Sequence, residues 1–195
     1  MERTFVDWLL SKLGSDPRLE VPPGDDAAVL RPPAMRRTVV TTDMLMEGVD
    51  FVLGQGPGRC SPKQVGRKAV GVNASDLAAM AARPEAIVVA VALPRTSGDA
   101  VGRSLFEGVR ERAAELGLCL AGGDTNAWDG PLVVSITAIG SVEPGRAWRR
   151  DGARPGDALV VSGRFGGSIL GRHLEPQPRL EEAAAMAAAG RVHAA

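Results

Sequence analysis

Aspartates stand at the edges of four separate apolar segments: Gly24-Asp25-Asp26-Ala27, Thr41-Thr42-Asp43, Asn73-Ala74-Ser75-Asp76-Leu77 and Gly122-Gly123-Asp124-Thr125. Carboxylates so placed suit magnesium and polyphosphate. Mg²⁺ takes oxygen ligands, keeps some of its water and is held between a few carboxylates and substrate phosphates. Each motif alone has a plainer reading. Asp25 and Asp26 after Gly24 can form a turn, Asp43 can cap a helix through Met44 to Glu47, and Asp76 can be a solvated helix residue or pair with a nearby Arg or Lys. Gly122-Gly123-Asp124 can be a tight turn, although two glycines beside a carboxylate also let backbone and ligand approach closely. Together the four motifs favour one shared site.

Other chemistries lack material. No GxxxxGK[ST] loop is present, and Gly54-Gln55-Gly56-Pro57-Gly58 has neither the spacing nor the preceding strand of a dinucleotide fingerprint. The only histidines, His173 and His193, follow all the aspartate motifs, too few for a Ser-His-Asp triad or a histidine-rich metal site. Cys60 and Cys119 form no CxxC pair, which argues against zinc or a disulfide framework, and Cys119 reads as an inert buried thiol.

The elements that must position these residues alternate. Met1 to Leu13 reads as an amphipathic helix rather than a signal peptide. Ala27 to Leu30 and Arg37 to Thr42, the latter running into Asp43, read as strands, and Gly54 to Pro62 as a loop. Ser61-Pro62 opens a helix ending near Arg83-Pro84, which places Asp76 in or beside it. Ala86 to Leu93 is an apolar strand closed by Pro94, Ser97 to Leu116 a helix stopped by Gly117, Leu118 to Ala121 a strand, and Leu132 to Val142 another after the Asp129-Gly130 turn. This order predicts an α+β layout with helices packed on one sheet. An Arg-rich link from Arg146 to Arg154 then precedes the Pro155-Gly156-Asp157 turn, a strand from Ala158 to Ser162, a short helix from Ser168 and a last helix from Glu181 to Ala189.

The chain has 195 residues, room for one large domain or one domain and part of a second, and 45% of them are hydrophobic. Lys plus Arg and Asp plus Glu both number 23, so no global attraction to nucleic acid or an anionic membrane is expected. No apolar run approaches membrane-spanning length, and the cytoplasm is the expected compartment.

The strings Gly24-Asp25-Asp26-Ala27-Ala28, Thr41-Thr42-Asp43-Met44-Leu45-Met46-Glu47-Gly48, Val72-Asn73-Ala74-Ser75-Asp76-Leu77-Ala78-Ala79-Met80, Gly122-Gly123-Asp124-Thr125 and Arg150-Asp151-Gly152-Ala153-Arg154-Pro155-Gly156-Asp157 run in order over almost the whole chain. Their set resembles the thiamine-monophosphate kinases of the PurM-like, AIR synthase-related superfamily. The resemblance implies a PurM-like N-terminal domain, a mixed sheet packed by helices, over residues 1–143, followed by the start of a second α/β domain over 144–195. It implies transfer of the ATP γ-phosphoryl group to thiamine monophosphate, with several Mg²⁺ ions and a homodimer formed through the N-terminal domain. By position, Asp26, Thr41, Thr42, Asp43, Asp76 and Asp124 become metal ligands. Gly123, Asp124 and Arg150 become nucleotide contacts, with Asp124 and Arg150 catalytic. Asp50 falls where the family usually has a substrate-contacting histidine, and Asp25 serves the turn. The plainer reading of Arg150, a solvated member of the Arg146-Arg149-Arg150-Arg154 cluster, stays open.

The residue types suit that chemistry independently. The nucleophile would be a phosphate oxygen, largely deprotonated at neutral pH, so no strong protein base is required. Charge neutralisation and in-line positioning are the main demands. Members of the family continue past Ala195 into a further aspartate-rich motif, so the sequence reads as lacking the C-terminal part. Two other readings remain open: a catalytically incomplete module that binds nucleotide or dimerises, and another ATP-dependent synthetase of the superfamily.

Overall fold

Alternating β-branched segments and two well-signalled helices dictate the centre of the molecule. The computed structural model describes residues 2–96, 98–190 and 192–195. In chain order the elements are α1 (Glu2–Lys12), β1 (Leu19–Val21), β2 (Val29–Leu30), β3 (Arg37–Met46), α2 (Pro62–Ala79), β4 (Arg83–Pro94), α3 (Gly98–Glu115), β5 (Cys119–Trp128), β6 (Val133–Val142) and α4 (Leu180–Ala189), with two 3₁₀ turns, Ser168–Leu170 and Arg172–Leu174, before α4. The expected starts of the first and third helices at Met1 and Ser97 lie outside the described residues.

The sheet order is β3-β6-β4-β5, with β4 and β5 parallel and the other neighbours antiparallel. Two parallel neighbours need a crossover, and α3 supplies it. This mixed sheet packed by helices is the α+β layout expected. One face carries Leu45, Val134, Ile136, Ala138, Ile87 and Leu93 into a core closed by Val65, Ala69, Leu77, Leu105 and Val109 of α2 and α3. The β1/β2 hairpin covers part of the opposite face over Ala86, Cys119 and Ala121. The rest of that face is open, with Val40, Met44, Met46 and Val88 exposed.

Local chemistry explains the helix ends. Gln64 N–H donates to Ser61 Oγ (3.2 Å) and Ser61 N–H to Gln64 Oε1 (2.9 Å), a capping box with Pro62 at the first helical position. After α3, Gly117 takes a positive φ of 69°, a conformation glycine adopts without steric cost. Helices α2 and α3 meet through paired glycines: Gly66 faces the Leu105 carbonyl and Gly108 the Lys63 carbonyl, each too close for a Cβ.

Two segments that could have been a helix cap and a tight turn are strand interior instead. Asp43 pairs with Ile136, and β3 runs on to Met46, so no helix starts at Met44. The Gly122-Gly123-Asp124 segment lies within β5 against Val88, Val89 and Ala90. The expected strand from Ala158 to Ser162 does not form. Leu159, Val160 and Val161 are exposed, and among the described residues no strand pairs with them. A strand without a ladder partner leaves its backbone groups to water, so the segment stays irregular.

The segment after β6 packs on α2 and α3. Arg112, only 6% exposed, donates to the Pro176 carbonyl (2.7 Å), to Gln177 Oε1 (3.2 Å) and to Glu115 Oε2 (2.8 Å). Arg67 grips Glu115 from the other side at 2.9 Å, and these guanidinium contacts, Arg67 first, hold the Glu115 carboxyl at about 2. Trp148 is buried against Ala78 and Ala183.

Candidate functional site

Strand β3 and helix α2 bring one group of the expected residues together. Thr41 and Asp43, two apart, share the helix-covered face of β3. Thr41 Oγ1 donates to Asp76 Oδ2 at 2.6 Å. One turn earlier on α2, Asn73 is completely buried. Its Oδ1 accepts from the Asp43 N–H (3.1 Å) and its Nδ2 donates to the Ala69 carbonyl (2.9 Å). That amide fixes the backbone at Asp43, and α2 therefore presents Asp76 to the strand at a set height.

The electrostatics of this group are uncompensated. Burial, then the negative charges of Asp76 and Asp50, push the Asp43 carboxyl above the ordinary carboxylate range. Among the described residues neither Asp43 nor Asp76 has an ion-pair partner, whereas Asp16, Glu111, Glu115 and Asp151 all have one. Asp50 sits in the turn after β3. Its Oδ2 accepts from the Met46 N–H at 2.8 Å and its carbonyl from Lys68 Nζ at 2.6 Å.

The other residues lie elsewhere. Thr42 is on the open face of the sheet, where its Oγ1 donates to the Ile136 carbonyl (3.1 Å) and accepts from Thr137 Oγ1 (3.2 Å). Asp124 reaches that face through a bulge: Leu120 pairs with Ile87 but Gly122 with Val88, so Ala121 is an extra residue and every later side chain changes face. Asp124 is exposed and accepts from Asn126 Nδ2 at 3.0 Å. Gly123 lies so close to the Val89 carbonyl that a Cβ would overlap it. Asp25 and Asp26 are exposed in the turn before β2, where the Asp26 N–H donates to Asp25 Oδ1 at 2.8 Å. Arg150 is exposed next to the Arg149–Asp151 ion pair. Among the described residues no three carboxylate, histidine or cysteine groups stand close enough to share one ion.

A cleft of about 230 Å³ lies away from the aspartates, between the link after β6 and the last residues, lined by Arg146, Trp148, Gly152, Arg154, Val192 and His193. The sequence reading missed Asn73 and Lys68 as parts of the site. The available signal was spacing for Asn73, which lies three residues before Asp76 and so on the same side of the helix; Lys68, five residues before Asn73, carried no such signal.

Residues 24–142 match the family described as AIR synthase related protein, N-terminal domain. The thiamine-monophosphate kinase of Rhodopirellula baltica is 41% identical over 202 aligned positions, which take in 100% of this chain and 62% of that protein. The thiamine-monophosphate kinase of Mycobacterium tuberculosis is 38% identical, over 86% of this chain and 54% of its own length. Among solved structures, the thiamine-monophosphate kinase of Stenotrophomonas maltophilia K279a superposes with a TM-score of 0.77 at 32% identity, over 97% of this chain and 65% of that one. The chain thus spans less than two thirds of the length of these relatives.

Proposed function

Because the chain belongs to the AIR synthase-related family, whose N-terminal domain it carries, we propose that it serves the ATP-dependent phosphorylation of thiamine monophosphate to thiamine diphosphate. The observation that carries this reading is the Thr41–Asp43–Asp76 group: hard oxygen donors, a carboxyl pushed up by burial and then by neighbouring negative charge, and no protein cation paired with either aspartate among the described residues. Such a donor set fits Mg²⁺. Asp26, Thr41, Thr42, Asp43, Asp76 and Asp124 would hold it, shared among several ions because they lie on both faces of the sheet. Magnesium, when bound, supplies charge neutralisation between the two anionic reactants.

The chain's own residues do the rest. Gly123 and Asp124 contact ATP on β5, where Gly122 beside them leaves open space. Arg150 is free to bring its guanidinium to the transferring phosphoryl group, and Asp50 contacts the acceptor. The acceptor's phosphate oxygen is already ionised at neutral pH, so no side chain has to remove a proton. In this reading residues 1–143 form the domain that binds nucleotide and magnesium, and 144–195 begin a second α/β domain. The test is formation of ADP and thiamine diphosphate by the purified chain in magnesium buffer. Turnover about a hundredfold above an Asp124→Asn control is expected, and turnover no greater than that control rejects the reading.

A second reading is favoured by the exposed Leu159, Val160, Val161 and Phe165: a module that binds nucleotide without completing the reaction. Calorimetric titration with Mg-ATP that shows binding without turnover would select it.

The homodimer belongs to the proposal as well. Val40, Met44, Met46 and Val88 are exposed on the open sheet face with Thr42 and Thr137 between them, and apolar side chains gathered on one face suit association. Sedimentation at micromolar concentration is expected to give twice the mass of one chain, and a single-chain mass refutes it. No described helix is long and apolar enough to cross a membrane. Cytoplasmic placement accords with the free, buried thiols of Cys60 and Cys119, and cell fractionation checks it.

A further inference from the structure

Lys68 is a buried cation that none of the chemistry above uses. It is 8% exposed, and among the described residues no carboxylate pairs with it. Its Nζ donates to the Asp50 carbonyl at 2.6 Å and lies 3.3 Å from His173 Nδ1. Since an ammonium group only donates, the contact is a hydrogen bond in the tautomer in which Nδ1 of His173 accepts. Removing an ammonium group from water is costly unless its hydrogen bonds are well placed. A methionine or leucine would fill the same space without that cost, so a bare packing role does not account for a lysine.

The placement of its bonds does. Helix α2 is tied to β3 and its turn by polar contacts at Lys68, Asn73 and Asp76, which meet the Asp50 carbonyl, the Asp43 N–H and the Thr41 hydroxyl respectively. Helix numbers rise while strand numbers fall, as in a row of stitches along two antiparallel elements. The stitches at Asn73 and Asp76 lie within the acidic group, and the Lys68 stitch lies at the far end. The Asn73 and Asp76 stitches lie within one turn of each other, whereas the Lys68 stitch adds a contact about 7.5 Å further along the axis, which holds the helix in register and stops it pivoting about that one turn. The same bond holds the turn in which Asp50 Oδ2 accepts from the Met46 N–H and the Asp50 N–H donates to the Met46 carbonyl (2.9 Å). Through His173 the ammonium also reaches the segment that follows β6, so acidic group, acceptor-side turn and second segment share one pin.

We propose that Lys68 is a positioning residue that sets the register of α2 against β3, and so the Thr41–Asp43–Asp76 geometry, while locking the Asp50 turn to the segment carrying His173. This rests on the magnesium reading above for its functional consequence, though not for its structural content.

The test uses the full chain with Lys68→Met, which keeps length and apolar bulk, and His173→Ala, which leaves the ammonium in place. Two readouts are taken: amide hydrogen exchange at Asp43 and Asp50, and the magnesium concentration at the midpoint of the thermal-stability rise. Lys68→Met is expected to speed exchange at both amides and to raise the magnesium midpoint about tenfold, the size of effect seen when a group orienting metal ligands is lost. His173→Ala is expected to speed exchange at Asp50 by a smaller factor. A lower melting temperature with unchanged exchange at both amides and an unchanged magnesium midpoint overturns the proposal, because a packing role alone predicts that result. If Lys68→Met fails to fold, unchanged exchange at Asp50 in His173→Ala overturns it. If the unsubstituted chain shows no magnesium effect, the magnesium reading fails and the exchange data alone decide on Lys68.

Discussion

Gly108→Ala is expected to destabilise the chain by about 2 kcal/mol, although alanine is the better helix former. In an ordinary helix interior the change would gain about 1 kcal/mol. Here the added methyl would overlap the Lys63 carbonyl of α2, and Gly66 makes the reciprocal approach to the Leu105 carbonyl of α3. Backbone cannot give way as a flexible side chain does. The two helices must part, and Val65, Ala69, Leu105 and Val109 lose contact in a core packed without slack. Overpacking costs about 1–3 kcal/mol, and an overlap with backbone lies at the upper end of that range, so after the propensity gain of about 1 kcal/mol about 2 kcal/mol remains and the melting temperature falls by roughly 4–8 °C in a chain of this size. Gly14→Ala, with nothing within 4 Å of the new methyl, is the control and should move it by about 1 °C or less. Equal melting temperatures for the two variants would mean that the helices slide past one another at little cost. The effect also reaches function: α2 carries Asp76, so a displaced helix lengthens the 2.6 Å bond to Thr41.

Neither glycine was legible as a contact in the sequence, though the helices carrying them were. Ser61-Pro62 with Gln64 is a local code, read by the first turn without help from the rest of the chain, and Gly117 is another. A strand was legible over its full length where it is strongly apolar, as in β6. The reading stopped short where polar residues sit mid-strand, as in β5. Asp43 and Asp124 have cap and turn preferences, but their places opposite Ile136 and Ala90 inside long paired strands outweigh those preferences. Ala158 to Ser162 is the converse: β-rich composition without a partner strand among the described residues yields irregular chain. The short β1, three residues pairing with β2, carries too little periodicity to be read at all.

The site was legible as a list of residue types and much less as a geometry. Thr41, Asp43 and Asp76 converge because the strand continues and the helix begins where its cap dictates. The bulge at Ala121 is one residue long, has no composition of its own, and decides which face Asp124 occupies. Asn73 and Lys68 become buried only when β3 arrives from elsewhere in the sequence, so their importance is a tertiary fact.

Asp43→Asn is expected to raise stability without magnesium and to lower it with magnesium, relative to the unsubstituted chain. Burial and the charges of Asp76 and Asp50 make the ionised Asp43 unfavourable in the folded state. Its folded pKa therefore lies above its unfolded value. The native state holds this proton more tightly, and the stability this contributes is full below the unfolded pKa near 3.8 and lost as pH rises through the folded value. At neutral pH the carboxylate is a liability, and asparagine keeps the shape and the backbone N–H that Asn73 accepts while removing the charge. The metal-free variant should melt about 2 °C higher at pH 7. That gap should close as pH falls toward 4, where the carboxyl becomes protonated and resembles the amide. Magnesium reverses the sign. A cation among these oxygens favours the ionised form, and at a hundred times its dissociation constant it adds about 2.7 kcal/mol to the native state, most of which the asparagine variant forgoes. The two melting curves measured against magnesium concentration should therefore cross. Parallel curves would mean that Asp43 holds no cation, and a variant less stable even without metal would mean that the carboxylate serves the fold rather than the site.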